Sequence, residues 1–162
     1  MHVRKIFVII FWAGIFYHLW IWTRLPARVA DHFDAGGYPN GWIGKDVHLF
    51  LMLGLHVFFF LLFYFMPKLT VKIPMQWVSI PNRSFWFQPE HQDKLCRKLG
   101  KAMAEIGILL ILFFGYIAYL TCQANQNVPV RLENSYFNTV LILFFIGIGL
   151  WLVRFYLAFR KP

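Results

Sequence analysis

Four apolar runs decide what this chain can become. They cover Ile6–Trp22, Val47–Met66, Ala102–Cys122 and Tyr136–Phe159, and Glu105 and Arg154 are the only charges inside them. Each is near the ~20 residues that cross ~30 Å of hydrocarbon as a helix. Helix is the one form open to such a span, because backbone groups in lipid must be satisfied within the segment. Composition agrees: 59% of the residues are hydrophobic and 14% are charged, where an average globular chain is about 25% charged. A water-soluble fold of this size could not hide that much apolar surface. The expected fold class is therefore all-α, an integral membrane four-helix bundle. Residues 1–162 form one domain with spans at about 6–22, 47–66, 102–122 and 136–159. The opening "MHVRK" and the run after it look like the start of a signal peptide. However, Trp20, Trp22, Arg24 and Leu25 stand where a peptidase needs small residues, so a retained helix is expected.

The net charge of +9 reads as topology rather than as a nucleic-acid footprint, since Lys and Arg beside apolar spans set orientation. Arg4 and Lys5 precede the first span. Seven basic residues (Lys68, Lys72, Arg83, Lys94, Arg97, Lys98 and Lys101) fill the second loop, and Arg154, Arg160 and Lys161 end the chain. The opposite side has Arg24, Arg28, Lys45 and Arg131, a split of twelve to four. Both termini and the second loop are expected in the cytoplasm, with the first and third loops outside. Cys96 and Cys122 then fall on opposite sides and cannot pair, and two cysteines supply no disulfide framework or zinc pattern.

The first loop, "LPARVADHFDAGGYPNGWIGKD", carries two Pro, four Gly, three Asp and one His between two greasy spans. Pro26 ends the first helix. Pro39-Asn40-Gly41 is a turn signal, with Gly41 a candidate for a positive backbone angle. Tyr38 and Trp42 flank that turn and can dip into headgroups. One reading is a loop folded flat on the membrane. The other is a binding site, with His32, Phe33, Asn40, Gly41, Trp42 and Lys45 as its residues.

The same stretch resembles a bacterial membrane family of unknown function, whose domain also forms the N-terminal part of the SdpI-type immunity proteins. Those proteins protect cells against the sporulation-delaying toxin. The resemblance runs through Leu25, Pro26, His32, Phe33, Gly36 or Gly37, Asn40, Gly41 and Lys45. A second patch, "IPNRSFWFQPE", is similar through Ile80, Pro81, Asn82, Arg83, Phe85, Trp86, Pro89 and Glu90. The chain departs from the family pattern at Val29-Ala30, usually Ile-Pro, and at Asn40, usually Asp. Its four apolar runs are fewer than the helices of the full SdpI-type protein, so the extra helices are not expected here. The resemblance implies a bacterial cytoplasmic (inner) membrane and a sensing or immunity role read at the outer loop.

The second loop has two parts. Residues 67–87 are expected to be extended, punctuated by Pro67, Pro74 and Pro81. From Pro89 a helix begins, with Glu90 and Asp93 at its positive end and a stripe of Leu95, Leu99 and Met103. Phe85, Trp86 and Phe87 are expected to wedge into the interface. The basic patch of Arg83, Trp86, Lys94, Arg97 and Lys98 is either an anchor on anionic lipid or a docking surface for a cytoplasmic partner. The anchor is favoured because topology already requires the charges.

Polar residues in the spans are few. His18, His32 and His48, with Asp31, Asp34 and Asp46, are the groups an outer metal ion would take. None has tight ligand spacing, so a hydrogen-bonded cap is favoured over metal. His56 lies deeper in the second span, at a depth expected to be poorly matched to His18, which disfavours a haem clamp. Glu105 and Arg154 either snorkel or pair, with each other or with Lys101. No catalytic motif or phosphate cradle appears, and no cofactor is expected. The two functional readings are a non-enzymatic sensing, immunity or signalling protein and an accessory subunit of a larger membrane complex. The lipid bilayer is the one expected partner common to both, and nucleic acid is not expected.

Overall fold

The computed structural model describes residues 2–160; Lys161, counted above among the C-terminal charges, lies outside them. Four helices are long and apolar enough to cross a bilayer. In chain order the elements are α1 (His2–Arg24), β1 (Arg28–Phe33), β2 (Pro39–Gly44), α2 (Lys45–Thr70), α3 (Arg83–Trp86), α4 (Gln92–Gln126) and α5 (Asn134–Arg160). Each expected span lies inside one of these helices. The helices run on past the apolar runs, because the backbone ladder does not depend on the side chains being apolar.

Two helices depart from expectation at their ends. The second helix does not stop at Met66 but continues through Pro67 to Thr70. Pro67 is buried, and the Thr70 hydroxyl donates to the Met66 carbonyl at 2.8 Å. This is the i−4 back-bond a threonine commonly makes in a helix, and it ties down the last turn beyond the proline. The helix expected to start at Pro89 does so as a short 3-10 turn, Pro89–His91, leading directly into α4. Leu95 and Leu99 are buried as the stripe required, and Met103 is half-buried.

The bundle is less symmetric than four equal helices. α1, α2 and α4 pack on one another, while α5 packs on α4. Lipid tails are as apolar as Leu, so small residues and polar contacts, not a hydrophobic drive, hold membrane helices together. The seams show this. A side chain at Gly107 of α4 would stand 2.6 Å from the Phe7 ring of α1, so only Gly lets that ring sit against the backbone. On the α4–α5 seam Phe113 stacks on Phe144 at 4.0 Å, and the Trp151 indole donates to the Ala102 carbonyl at 2.9 Å. Arg154 and Glu105 pair at 3.4 Å, one of the alternatives left open above. Cys96 and Cys122 are both free. They sit near opposite ends of α4, about 39 Å apart along the axis.

The α3 end contradicts one expectation. Trp86 does not wedge into an interface. It is fully buried among Leu95, Leu99 and Phe159, and its indole N–H donates to the Phe159 carbonyl at 2.9 Å. Asn82, at a left-handed φ of 51°, reaches the Arg160 carbonyl from the residue before α3. The C-terminal end of α5 thus closes over the loop that the sequence reads as extended. Trp86→Phe keeps most of the packing but removes the indole donor. It should cost about 1–2 kcal/mol, read as a lower unfolding midpoint in detergent. An unchanged midpoint would show that the bond contributes nothing.

Candidate functional site

The first loop folds as a two-stranded antiparallel hairpin, not as a set of turns. Arg28 pairs with Gly44, Val29 with Ile43, Ala30 with Trp42, His32 with Gly41 and Phe33 with Pro39, with an irregularity around Asp31 and His32. The reversal is not made by Pro39-Asn40-Gly41, which lies in β2. It is made by Asp34, whose Oδ1 accepts from the Gly36 and Tyr38 N–H groups at 2.8 and 2.9 Å. Gly37 supplies the positive φ of 81°. An Asp side chain that mimics a backbone turn outcompetes the later Pro-Asn-Gly signal. Gly41 is needed for a different reason from the one expected. A Cβ there would lie 2.9 Å from the Cβ of His32, its partner across the ladder.

The hairpin is fastened at three points. Asn125 near the end of α4 accepts from the Ala30 N–H at 2.8 Å and donates to the Ala30 carbonyl at 2.9 Å. Its carboxamide thus takes the place of a third strand at the open edge of β1. At the tip, the Leu132 N–H donates to the Gly37 carbonyl at 2.9 Å, and Asn134 donates to the Ala35 carbonyl at 2.7 Å. A Cβ on Gly37 would strike the Leu132 carbonyl. Below, Val29 and Leu25 pack with Ile21 and Cys122.

Between this hairpin and the ends of α4 and α5 lies a cleft of about 500 Å³. Asp31, His32, Phe33 and Asp34 form one wall. Ile117, Leu120 and Thr121 of α4, with Asn134, Phe137 and Asn138 of α5, form the facing wall, and Ala35 and Leu132 close the tip. Of the six binding residues expected from sequence, His32 and Phe33 line the cleft. Asn40 and Trp42 are exposed on β2, away from it. Lys45 sits over the Trp22 ring at 4.8 Å, and the Trp22 indole donates to Asp46 at 2.8 Å. The expected set is therefore split, because alternation along β2 sends its side chains to other faces. The residues missed are those of the far wall, Thr121, Phe137 and Asn138, together with the clamp Asn125. Thr121 and Asn125 share one helix face at i, i+4. Two polar residues in register at the end of an apolar span are the signal that would have exposed them.

Behind the cleft is a second polar cluster. His18, His48 and His56 are all buried, at 3%, 5% and 3% exposure. The His18 and His56 rings meet edge to face with centroids 5.3 Å apart, which overturns the depth argument made from sequence. His18 lies six residues before the end of α1, and His56 eleven residues after the start of α2. The hairpin lets α2 start about 7 Å further out than α1 ends, and that stagger brings the rings level. Direct ring contact leaves no gap for a planar macrocycle between them. His48 lies within electrostatic reach of His18 and Asp31. His32 does not join them: its side chain is 79% exposed and stands 3.8 Å from Asp31. The expected trio of His18, His32 and His48 is thus replaced by His18, His48 and His56. Among the described residues no group of three His, Cys, Asp or Glu side chains converges as a metal ion would require. His56 holds the Phe11 carbonyl at 3.1 Å through Nε2. Its Nδ1, the His48 Nε2 and the Asp31 Oδ1 are buried with no partner among the described residues.

At the opposite end the basic patch is not one surface. Trp86 is internal, Lys98 and Lys94 lie over its ring at 4.2 and 5.7 Å, and Arg83 reaches the Gln76 carbonyl at 3.5 Å. Arg97 lines a separate hollow with Arg4 and Lys101. The folding of α5 over Trp86 divides what is continuous in sequence.

With this geometry in hand, comparison with known proteins adds one finding. Residues 9–57 match the model of a domain of unknown function, DUF1648. The match takes in most of α1, the whole hairpin, the start of α2 and the three buried histidines. The far wall of the cleft on α4 and α5 lies beyond it. No curated protein and no solved structure matches the chain.

Proposed function

We propose that this is a small, non-enzymatic, multi-pass membrane protein that recognises a peptide or envelope component in the cleft beside the hairpin. The carrying observation is preorganisation. An exposed loop would cost binding energy to order, whereas this one is held by Asn125, Leu132 and Asn134 before any ligand arrives. The twelve-to-four charge split supports an orientation with the hairpin outside and both termini in the cytoplasm. The family resemblance through Leu25, Pro26, His32 and Lys45 supports a bacterial cytoplasmic membrane and an SdpI-like sensing, immunity or signalling role. One observation favours the second reading, an accessory subunit. α5 buries only Phe159, so most of its apolar surface is left for lipid or a neighbouring chain.

Two measurements in intact cells test the proposal. An Asn40→Cys variant, on the exposed part of β2, should react with a membrane-impermeant maleimide. Buried Cys122 is expected to stay silent in the same experiment, although sequence places it outside. Reaction at residue 40 only after lysis would invert the orientation. A photo-crosslinker at Asn138, on the cleft wall, should capture an envelope or peptide component. One on α5 at Leu150 should capture only lipid. Protein adducts at Leu150, with none at Asn138, would favour the subunit instead.

A further inference from the structure

The cleft carries a chemical preference of its own. Its lining includes two carboxylates, Asp31 and Asp34, and no Lys or Arg. Nearby cations are turned elsewhere: Arg24 lies over Trp20 at 4.1 Å, Lys45 over Trp22 at 4.8 Å and Arg131 over Tyr38 at 4.9 Å. The charged groups that face Asp31 are then two histidines, His32 at 3.8 Å and the buried His48, and no Lys or Arg offsets the acids from the lining.

The two acids are not equivalent. Asp34 spends its Oδ1 on the turn. Asp31 has an oxygen, Oδ1, that is buried and without a partner, and its other oxygen is 3.8 Å from His32, beyond hydrogen-bond range. A desolvated carboxylate oxygen left without a donor is costly, and a strong donor arriving there recovers that cost. Thr121 adds to the same picture. It is only 7% exposed and lines the cleft, so its hydroxyl is a polar group set among apolar neighbours. Ile117, Leu120 and Phe137 form an apolar floor beside these groups.

We infer that the cleft takes a basic amphipathic peptide, with an ammonium or guanidinium group received by Asp31 and Thr121 and an apolar side chain laid on Leu120 and Phe137. An ammonium brings three donors and no acceptor, which complements the Asp31 and Asp34 carboxylates and the acceptor side of the Thr121 hydroxyl. Charge-assisted bonds to a half-buried carboxylate are about twice as strong as neutral ones. This deepens the recognition reading above and depends on it.

The test uses the full-length protein in phosphatidylcholine nanodiscs, with empty discs as blank. Three end-capped hexapeptides of Leu and Phe carry Lys, norleucine or Glu at one central position. The Lys peptide should bind saturably, one per protein, about tenfold or more tighter than the other two. Asp31→Asn, a change of equal size, should remove that preference and leave norleucine binding unaltered. Asp46→Asn, at the same end but outside the cleft, should leave the preference intact. Hydrogen exchange at Ala30 reports whether the hairpin survives each change. Equal affinity for all three peptides, preference for Glu, or no saturable binding of the Lys peptide would overturn the charge preference. A cleft-filling Leu120→Trp separates the two claims. Equal binding that Leu120→Trp abolishes leaves the cleft as the site and removes only the ligand class. Binding indifferent to Leu120→Trp removes the cleft itself.

Discussion

Asn125→Leu should release the hairpin while leaving the four helices in place. The Ala30 N–H and C=O are both held by the Asn125 carboxamide, and Ala30 is completely buried. Leu has the same number of side-chain heavy atoms and the same branch point but offers neither donor nor acceptor. Two backbone groups then lie buried and unpaired, each at about 1–3 kcal/mol, so the local cost is about 2–6 kcal/mol. The Thr121 carbonyl also loses the bond it receives from Asn125 at 2.8 Å, but it remains in the helix ladder. The hairpin can escape the penalty by lifting β1 toward water. Amide exchange at Ala30 should therefore speed up by at least about tenfold, and protease should cut between Asp31 and Lys45 in intact cells. Helical circular dichroism should not change. Gln123→Leu, exposed on the same helix and bonded only to Tyr119, is the control and should leave exchange as it was. Protection unchanged in Asn125→Leu would show that strand pairing and the burial of Val29 suffice without the clamp.

This result bears on how much of the site could be seen in the sequence. The spans were legible because twenty apolar residues in a row have one stable form in lipid. So was the helix from Pro89, because a proline, two acids and a four-residue apolar stripe are local signals that agree. What failed was long-range. The pocket that buries Trp86 is completed by Phe159, 73 residues later, and nothing near Trp86 announces it. The level of His56 relative to His18 depends on how far the hairpin pushes α2 outward, which is a property of the folded loop. The turn was misplaced for a local reason. Two turn signals lay five residues apart, and the Asp34 side chain, bonding two N–H groups, is the stronger.

The cleft shows the same division. Its hairpin wall, with His32 and Phe33, was reachable from the unusual loop composition and lies within the residues that match the domain model. Its other wall comes from α4 and α5, and the choice of Thr121 and Asn138 as its polar members reflects helix packing. The most informative clue lay in plain view. A histidine, threonine or asparagine inside an apolar span faces the bundle, since lipid offers it no partner. Applied to the third span as well as to the histidines, that rule selects Thr121, and Asn125 follows one turn later on the same buried face.

The same rule leads to the second large effect. The His56 ring lies directly against Gly14 of α1. A Cβ at residue 14 would land on the His56 ring, 2.8 Å from Nε2 and closer still to Cε1. The ring has nowhere to retreat. Phe11 packs on one side with centroids at 5.3 Å, itself stacked on Phe60 at 3.9 Å, and His18 closes the other. Gly14→Ala must therefore spread α1 from α2 or break the bond from His56 to the Phe11 carbonyl. Helix propensity favours Ala by about 1 kcal/mol, yet overpacking should win, and a net loss of about 3 kcal/mol is expected. Gly54→Ala is the matched control: nothing lies within 4 Å of its would-be Cβ, so it should be neutral or stabilising. The double variant Gly14→Ala, His56→Ala decides the cause. Removing the ring makes room for the methyl group, so the two changes should be less damaging together than their sum by about 2 kcal/mol or more. Reversible unfolding in mixed micelles measures the wild type, Gly14→Ala, His56→Ala, their double variant and Gly54→Ala. Strict additivity would show that Gly14 serves the approach of the helix backbones rather than the imidazole, and the buried histidines would then owe their contact to packing elsewhere.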